Sequence, residues 1–240
     1  MFEDLLPSAA CSEMFSDVPE STMFFAEAAT VAGAVEERRR EFGTVRHCAR
    51  KALSAIGIDA GPILPDIDGV PRWPEGAVGS MTHCKGYRAA VVAPSGALRS
   101  IGIDAEINAP LPSMLHDLVL SDEELVHLRE LAGAFPCTHW DRIIFCAKEA
   151  VFKAWFPITR TWLDYADVSV TIHADNAFSA FVHSYPTAGV GPAFVGRWMT
   201  SRGIILAATW IRQSLARGET TRDAGVIRPP AVDSVEAYAR

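Results

Sequence analysis

Two short stretches of this chain carry side chains whose types and spacing could do chemistry. The first is Ile101-Gly102-Ile103-Asp104-Ala105-Glu106. It alternates as a strand does, so Ile101 and Ile103 point one way while Gly102, Asp104 and Glu106 point the other. Two carboxylates that close repel each other and raise one pKa unless a cation lies between them. With a third acid they would supply the oxygen ligands of a hard cation such as Mg²⁺. The competing reading is a strand end that carries two solvated acids. The second stretch is Phe145-Cys146-Ala147-Lys148-Glu149-Ala150-Val151-Phe152-Lys153-Ala154-Trp155. Glu149 and Lys153 are four residues apart, hence one helical turn apart on one face. Alone, such a pair is a surface ion pair worth on the order of a few tenths of a kcal/mol. The acidic strand upstream gives it a second meaning.

Two further groups could handle anions. Arg38-Arg39-Arg40 is followed by Arg46, Arg50 and Lys51, a local basic patch in a chain of net charge −7. Arg46 and Arg50 sit one turn apart, and with Arg38 they make either an anion site or a solvated basic face. Gly79-Ser80-Met81-Thr82-His83-Cys84 offers two hydroxyls, an imidazole and backbone N–H groups, which suit a phosphate cradle. His83 beside a strand is equally at home as a structural residue.

The elements that must position these groups follow from periodicity and punctuation. Residues 24–42 have helical composition; Gly43 and Thr44 interrupt them, with Thr44 as N-cap of a second helix to Ile56 and Gly57 as its C′ residue. Its buried stripe is Val45, Cys48, Ala49, Leu53 and Ile56. Residues 59–79 are rich in Gly, Pro and Asp and form a loop. Residues 88–93 read as a strand, Pro94-Ser95-Gly96 turns it, and 97–106 return. Ser121-Asp122-Glu123-Glu124 is a capping box that opens a helix through about Leu131. The helix with Glu149 starts near Thr138, packs Ile144, Ala147, Val151, Ala154 and Trp155 inward, and stops before Pro157. Four strands follow at 168–173, 177–183, 193–199 and 203–210, the last two joined by a hairpin at Ser201-Arg202-Gly203. Residues 1–22 read as an irregular lead-in without chemistry, and 212–240 as a flexible tail. Helices plus antiparallel strands thus occur twice, an α+β fold in two similar lobes.

Composition narrows the function classes. The chain has 240 residues, 49% hydrophobic and 21% charged, as a globular protein with a real core does. Net acidity argues against nucleic-acid binding. The start Met1-Phe2-Glu3-Asp4 lacks a secretory signal, and no apolar run is long enough to cross a bilayer. The five cysteines are scattered without any CxxC, so neither a disulfide framework nor a zinc site is expected. Cys48, Cys84 and Cys146 read as small buried apolar residues, and the reducing cytoplasm as the compartment.

The two motifs together resemble the signature of the Sfp-type 4′-phosphopantetheinyl transferase family. That signature is a Gly-Ile/Val-Asp segment followed, at the spacing found here, by Phe/Trp-x-x-Lys-Glu-Ala/Ser-x-x-Lys. Val45-Arg46-His47-Cys48-Ala49-Arg50, Gly79-Ser80-Met81-Thr82-His83-Cys84 and Trp140-Asp141-Arg142 are similar to segments of actinobacterial members, and the likeness covers roughly residues 35–210. It implies transfer of the 4′-phosphopantetheine arm of coenzyme A to a serine of apo acyl or peptidyl carrier proteins, with release of adenosine 3′,5′-bisphosphate. It implies Mg²⁺, with Mn²⁺ as a substitute, and two similar α+β lobes with coenzyme A in the cleft between them. Residues 1–103 would be the lobe with the basic helix and hairpin, and 104–211 the lobe with the acids and signature helix. Carried over residue by residue, Asp104, Glu106 and Glu149 match the metal-binding acids. Glu149 would also take the serine proton, directly or through water. Lys153 matches the lysine on the reacting phosphates, with Lys148 open to ligand or solvent. His83 with Thr82 matches a segment touching coenzyme A phosphate, and Arg38 and Arg46 match residues that hold the 3′-phosphate. The loop Pro65-Asp66-Ile67-Asp68-Gly69-Val70-Pro71 lacks the lysine common in relatives, so backbone groups or Arg72 would replace it. The protein is expected to be monomeric and to bind neither nucleic acid nor membrane. Two rivals remain: a Mg²⁺-dependent phosphoesterase or nucleotide hydrolase, and a coenzyme-A-binding protein without turnover. Both halves of the signature being intact favours the transferase.

Overall fold

The computed structural model describes residues 1–173, 175–183 and 189–213 of the chain. Beyond Gln213 the expected tail lies outside the described residues. Arg212, placed in that tail by sequence, instead closes the last strand.

The N-terminal half builds a three-stranded antiparallel sheet from β1 (Ala10–Met14), β2 (Ala77–Cys84) and β3 (Tyr87–Pro94), in the order β1-β3-β2. The central β3 is buried at every position except its last. Its alternation explains why. Tyr87, Ala89, Val91 and Ala93 pack with Phe2, Leu5 and Leu6 of the N-terminal segment. Ala90 and Val92 face Cys48, Ala49, Ala52 and Leu53. A strand covered on both faces reads as a continuous apolar run. The supposed lead-in is therefore structural: helix α1 (Phe2–Leu5) and edge strand β1 complete this layer. Ala10–Met14 contains no β-branched residue, so nothing in its composition announces a strand.

Helix α2 (Phe25–Thr30) is short, and α3 (Glu36–Ala55) runs straight through Gly43 and Thr44. The expected break there does not occur. The Thr44 hydroxyl donates back to the Arg40 carbonyl at 2.8 Å, as a mid-helix threonine does, and accepts from Val18 N. Gly43 is a packing choice: a Cβ there would lie 2.8 Å from Met23 Cγ.

Strand β4 (Leu98–Ile107) departs most from expectation. It does not fold back on β3, whose two edges are already taken by β1 and β2. It pairs with β8 (Ile204–Arg212), from Ile101 opposite Trp210 to Ile107 opposite Ile204. The expected division between residues 103 and 104 therefore falls inside one strand. The second sheet runs β4-β8-β7-β6-β5, with β5 Val168–Ile172, β6 Ala177–Val182 and β7 Ala193–Ser201. The expected hairpin joins β7 and β8, with φ of 51° at Arg202 and 75° at Gly203, the pair of positive values a tight type I′ turn requires. Between β4 and this meander come α4 (His116–Val119), α5 (Asp122–Ala134) and α6 (Trp140–Thr159). Ser121 caps α5 with the predicted capping box. Helix α6 lies on the second sheet, its stripe Ile144, Ala147, Val151, Ala154 and Trp155 fully buried. It does not stop before Pro157 but carries it two residues from its end. A proline so near the C-terminus removes a single helical hydrogen bond, and the Thr159 hydroxyl returns one to the Trp155 carbonyl.

The two sheets meet where β2 runs beside β4. Ser80 Oγ accepts from Ile103 N and Thr82 Oγ1 from Ala105 N, each at 3.1 Å. Side-chain hydroxyls thus satisfy backbone donors on the free edge of β4. Among the described residues no helix is long and apolar enough to cross a membrane.

Candidate active site

Gly102 sets the position of the signature helix. A Cβ there would lie 1.8 Å from the Ala150 carbonyl oxygen and 2.7 Å from Ala154 N. Only a residue without a side chain lets α6 descend onto β4 at this point. That contact carries Glu149 and Lys153 over the face that bears Asp104 and Glu106. The two motifs meet: Lys153 Nζ donates to Asp104 Oδ1 at 2.6 Å. Burial works against the Lys153 charge, but the Asp104 carboxylate outweighs it and holds the ammonium above its usual pKa. Asp104 is 5% exposed and also accepts from the Thr82 hydroxyl at 3.2 Å.

Each of the other acids has its own donor. Arg142 Nη1 donates to Glu106 Oε2 at 3.1 Å, and the same guanidinium reaches the Ala109 and Pro110 carbonyls. Burial, then the neighbouring Asp104 carboxylate, push Glu106 up to about 6, with Arg142 acting in the opposite sense. The Tyr165 hydroxyl donates to Glu149 Oε1 at 2.5 Å. Sequence reasoning named neither donor. Arg142 lies in the Trp-Asp-Arg segment three residues before Phe145 and could have been singled out. Tyr165 lies beyond the end of α6, where no spacing rule points.

A metal ion is implied by the resemblance, and the acids fit one in chemistry. The set is all oxygen, and Asp104 Oδ2 is buried without a hydrogen-bond partner. The three carboxylates do not converge as they stand. Among the described residues no group of three or more His, Cys, Asp or Glu side chains is placed to hold a metal ion. Lys153, Arg142 and Tyr165 occupy the acids instead.

Beside this cluster lies a cavity of about 340 Å³, within the range of small-molecule sites. Arg38, Arg46, Thr82 and His83 line it from α3 and β2, and Phe152, Lys153 and Phe156 from α6. Four of the predicted contact residues thus share one cavity with Lys153, but they are not equally free. Arg38 is half exposed, and its Nη1 lies 2.8 Å from His83 Nε2. Glu41 sits 3.1 Å from the same nitrogen. Burial lowers the His83 pKa, with Glu41 opposing and Arg38 adding to it. Arg46 is buried, stacked on Phe42, and spends donors on the Ile63 and Phe42 carbonyls. Its pKa is lowered by burial to about 10. Arg50 turns away to the buried Glu27 at 2.6 Å and lies outside the cavity lining. The segment read as an exposed phosphate cradle is strand β2: its backbone is paired with β3, and the Ser80 and Thr82 hydroxyls face β4.

A second cavity of about 310 Å³ opens along α6, lined by Lys148, Glu149, Leu163 and Tyr165. Phe152 and Trp162 line both cavities. Their rings stand edge to face at 4.9 Å, and Trp162 is 66% exposed. Lys148, left open by sequence, is structural: it is 3% exposed, and its Nζ donates to Glu124 at 2.8 Å and to the Val119 and Tyr165 carbonyls. In the lysine-free loop, Arg160 Nη1 reaches Asp66 at 2.6 Å and Asp68 at 3.2 Å. Asp68, Gly69, Val70 and Pro71 form part of the first cavity's wall. Arg72 is exposed and is not among the residues lining that cavity.

Comparison with known proteins adds an independent line. The family described as 4′-phosphopantetheinyl transferase N-terminal domain matches residues 26–93, and the 4′-phosphopantetheinyl transferase superfamily matches residues 100–191. The chain is 44% identical over 216 residues to 4′-phosphopantetheinyl transferase PptT of Mycobacterium tuberculosis, covering 87% of this chain and 92% of that one. It is 44% identical to 4′-phosphopantetheinyl transferase Svp of Streptomyces mobaraensis, with 87% and 88% covered. Enterobactin synthase component D of Salmonella typhi is more distant, 27% identical over 155 residues and 61% of this chain.

Proposed function

The chain belongs to the 4′-phosphopantetheinyl transferase superfamily, and from that premise we propose that its reaction runs at the Asp104–Glu149–Lys153 cluster. It is an enzyme that moves the 4′-phosphopantetheine arm of coenzyme A, and its acceptor is a serine hydroxyl of apo acyl or peptidyl carrier proteins. The observation that carries this reading is the 2.6 Å contact of Lys153 with Asp104 at the edge of the cavity that also holds Arg38 and His83. Fixed cations and paired acids beside an anion-sized cavity suit phosphoryl transfer, which needs alignment and charge neutralisation more than covalent help.

In this reading coenzyme A lies in a cleft between two lobes, α3 and β2 forming one wall and α6 the other. The 3′-phosphate end points toward Arg38 and the lip of the first cavity. The pantetheine arm passes Phe152 and Trp162 into the second cavity beside Glu149. The serine oxygen attacks the β-phosphorus. A Ser O–P bond forms, the P–O bond to the bridging oxygen breaks, and adenosine 3′,5′-bisphosphate leaves. Glu149 takes the serine proton, directly or through a water. Lys153 holds its positive charge on the phosphates throughout, and Arg142 keeps Glu106 in place. Asp104, Glu106 and Glu149 would hold Mg²⁺, which when bound supplies charge neutralisation at the two phosphates.

The test is to mix the protein with coenzyme A, Mg²⁺ and an apo carrier protein and to weigh the carrier by mass spectrometry. The expected result is a mass gain of one phosphopantetheine on the carrier serine. Release of adenosine bisphosphate without any mass gain on several carriers would instead identify a hydrolase.

A further inference from the structure

Glu149 stands on α6 as one of three acids, and its carboxylate must present one oxygen to the incoming hydroxyl. A glutamate with three rotatable bonds on a helix surface samples several rotamers unless something selects one. The Tyr165 hydroxyl does so, by donating to Oε1 at 2.5 Å. The tyrosine itself is held at two points, ring and backbone. Its ring packs on Phe145 with centroids 5.7 Å apart. Its backbone carbonyl accepts from Lys148 Nζ at 3.0 Å. Lys148 is in turn held by Glu124, which also accepts from Ser121 N at the start of α5 and from Val170 N in β5. Both Phe145 and Lys148 belong to α6, so the helix that carries Glu149 also holds Tyr165 against it.

Resting on the transferase reading, we propose that Tyr165 is a positioning residue for Glu149: its hydroxyl anchors Oε1 and leaves Oε2 directed at the acceptor serine. A hydrogen bond to an ionised acceptor is the stronger kind and fixes direction as well as distance. The two roles of the residue separate cleanly. Its ring and backbone serve the packing, and its hydroxyl serves the carboxylate.

Tyr165→Phe removes only the hydroxyl and is the variant to compare with the full-length wild type, using coenzyme A, Mg²⁺ and an apo carrier. The expected result is a kcat lower by about tenfold, the size of one hydrogen bond to a charged group. The KM values for coenzyme A and carrier should stay within about twofold, because the ring that lines the second cavity is kept and only the hydroxyl, which is bonded to Glu149, is removed. The melting temperature should stay within about 2 °C. A kcat within about twofold of wild type would overturn the proposal. So would a rise in KM that accounts for the whole loss, or a fall in melting temperature of more than about 4 °C alongside the loss in rate. Wild-type protein that loads no carrier in the parallel reaction would remove the transferase reading itself.

Discussion

Asp104 and Glu149 come from separate motifs, and the structure gives them different surroundings. Asp104 is buried, bonded to Lys153 and Thr82 through one oxygen, with the other oxygen unsatisfied. A buried acceptor without a partner costs about 1–3 kcal/mol and persists where a ligand will meet it. Replacing Asp104 by Ala removes that oxygen and leaves Lys153 unpaired. Transfer should fall by at least about a hundredfold while the circular dichroism spectrum is kept. Glu149→Ala should do the same. Retained transfer in both variants would show that these acids do not carry the reaction. Glu106 can be read through its proton. It binds that proton more tightly in the folded chain than its ordinary value of 4.5 implies, so its ionisation favours unfolding. The stability it contributes is present below about pH 4.5 and is lost as pH rises through about 6. In chelator-treated protein, wild type should lose up to about 2 kcal/mol relative to Glu106→Gln between those pH values, measured by denaturant unfolding. A gain across the same window would mean that Arg142 dominates the site. At this scale strand alternation and helical spacing fix which side chains share a face, Asp104 with Glu106 on β4 and Glu149 with Lys153 on α6. The partners of these side chains were not legible in the same way. Nothing near Glu149 in sequence points to Tyr165, and Lys148 looks as free as Lys153 until Glu124 is brought to it from α5.

Among the elements, the legible parts were those with strong periodicity. The stripe of α6, the capping box at Ser121 and the hairpin at Arg202-Gly203 all follow from local rules. The failures have a common cause in tertiary contact. Gly43 reads as a break but makes room for Met23. The Pro94–Gly96 turn reads as a hairpin, but both edges of β3 are taken and β4 crosses to the second sheet. The 65–71 loop contains no lysine, and the structure shows an arrangement that orders it. Arg160, in the left-handed conformation at φ 54° just past α6, bridges Asp66 and Asp68. Asp66 Oδ1 also accepts from the N–H groups of Asp68 and Val70. A surface pair of this kind adds little global stability, about 0–1 kcal/mol. Its effect belongs to the cavity wall. Arg160→Ala should leave kcat and the melting temperature unchanged and raise KM for coenzyme A by about threefold, in a steady-state titration of coenzyme A at saturating carrier. An unchanged KM would show that the loop keeps its shape without the clamp.

Across the whole molecule, the site exists only because two sheets are held in fixed relation. The basic residues ride on β2 of the first sheet and on α3, which packs against it, and the acids ride on β4 of the second sheet and on α6, which packs against that. Sequence alone cannot show this seam, since Ser80 and Thr82 read as hydroxyls awaiting a phosphate. In the structure their oxygens are spent on Ile103 N and Ala105 N, and Thr82 additionally donates to Asp104. Thr82 therefore links the seam to Asp104, where we propose the reaction runs. Thr82→Val keeps the shape but deletes both hydrogen bonds, leaving Ala105 N without an acceptor and Asp104 with one donor fewer. A buried N–H orphaned in this way costs about 1–3 kcal/mol, which should appear as a lower midpoint in denaturant unfolding with an unchanged slope. Transfer should fall as well, because Asp104 loses part of its orientation. Thr82→Ser keeps the hydroxyl and should restore most of the rate. The two readings of Thr82 then part. If its hydroxyl serves the ligand alone, Thr82→Val will weaken coenzyme A binding and leave the unfolding midpoint where it was. If it fastens the sheets, the midpoint and the rate will fall together and recover together in the serine variant.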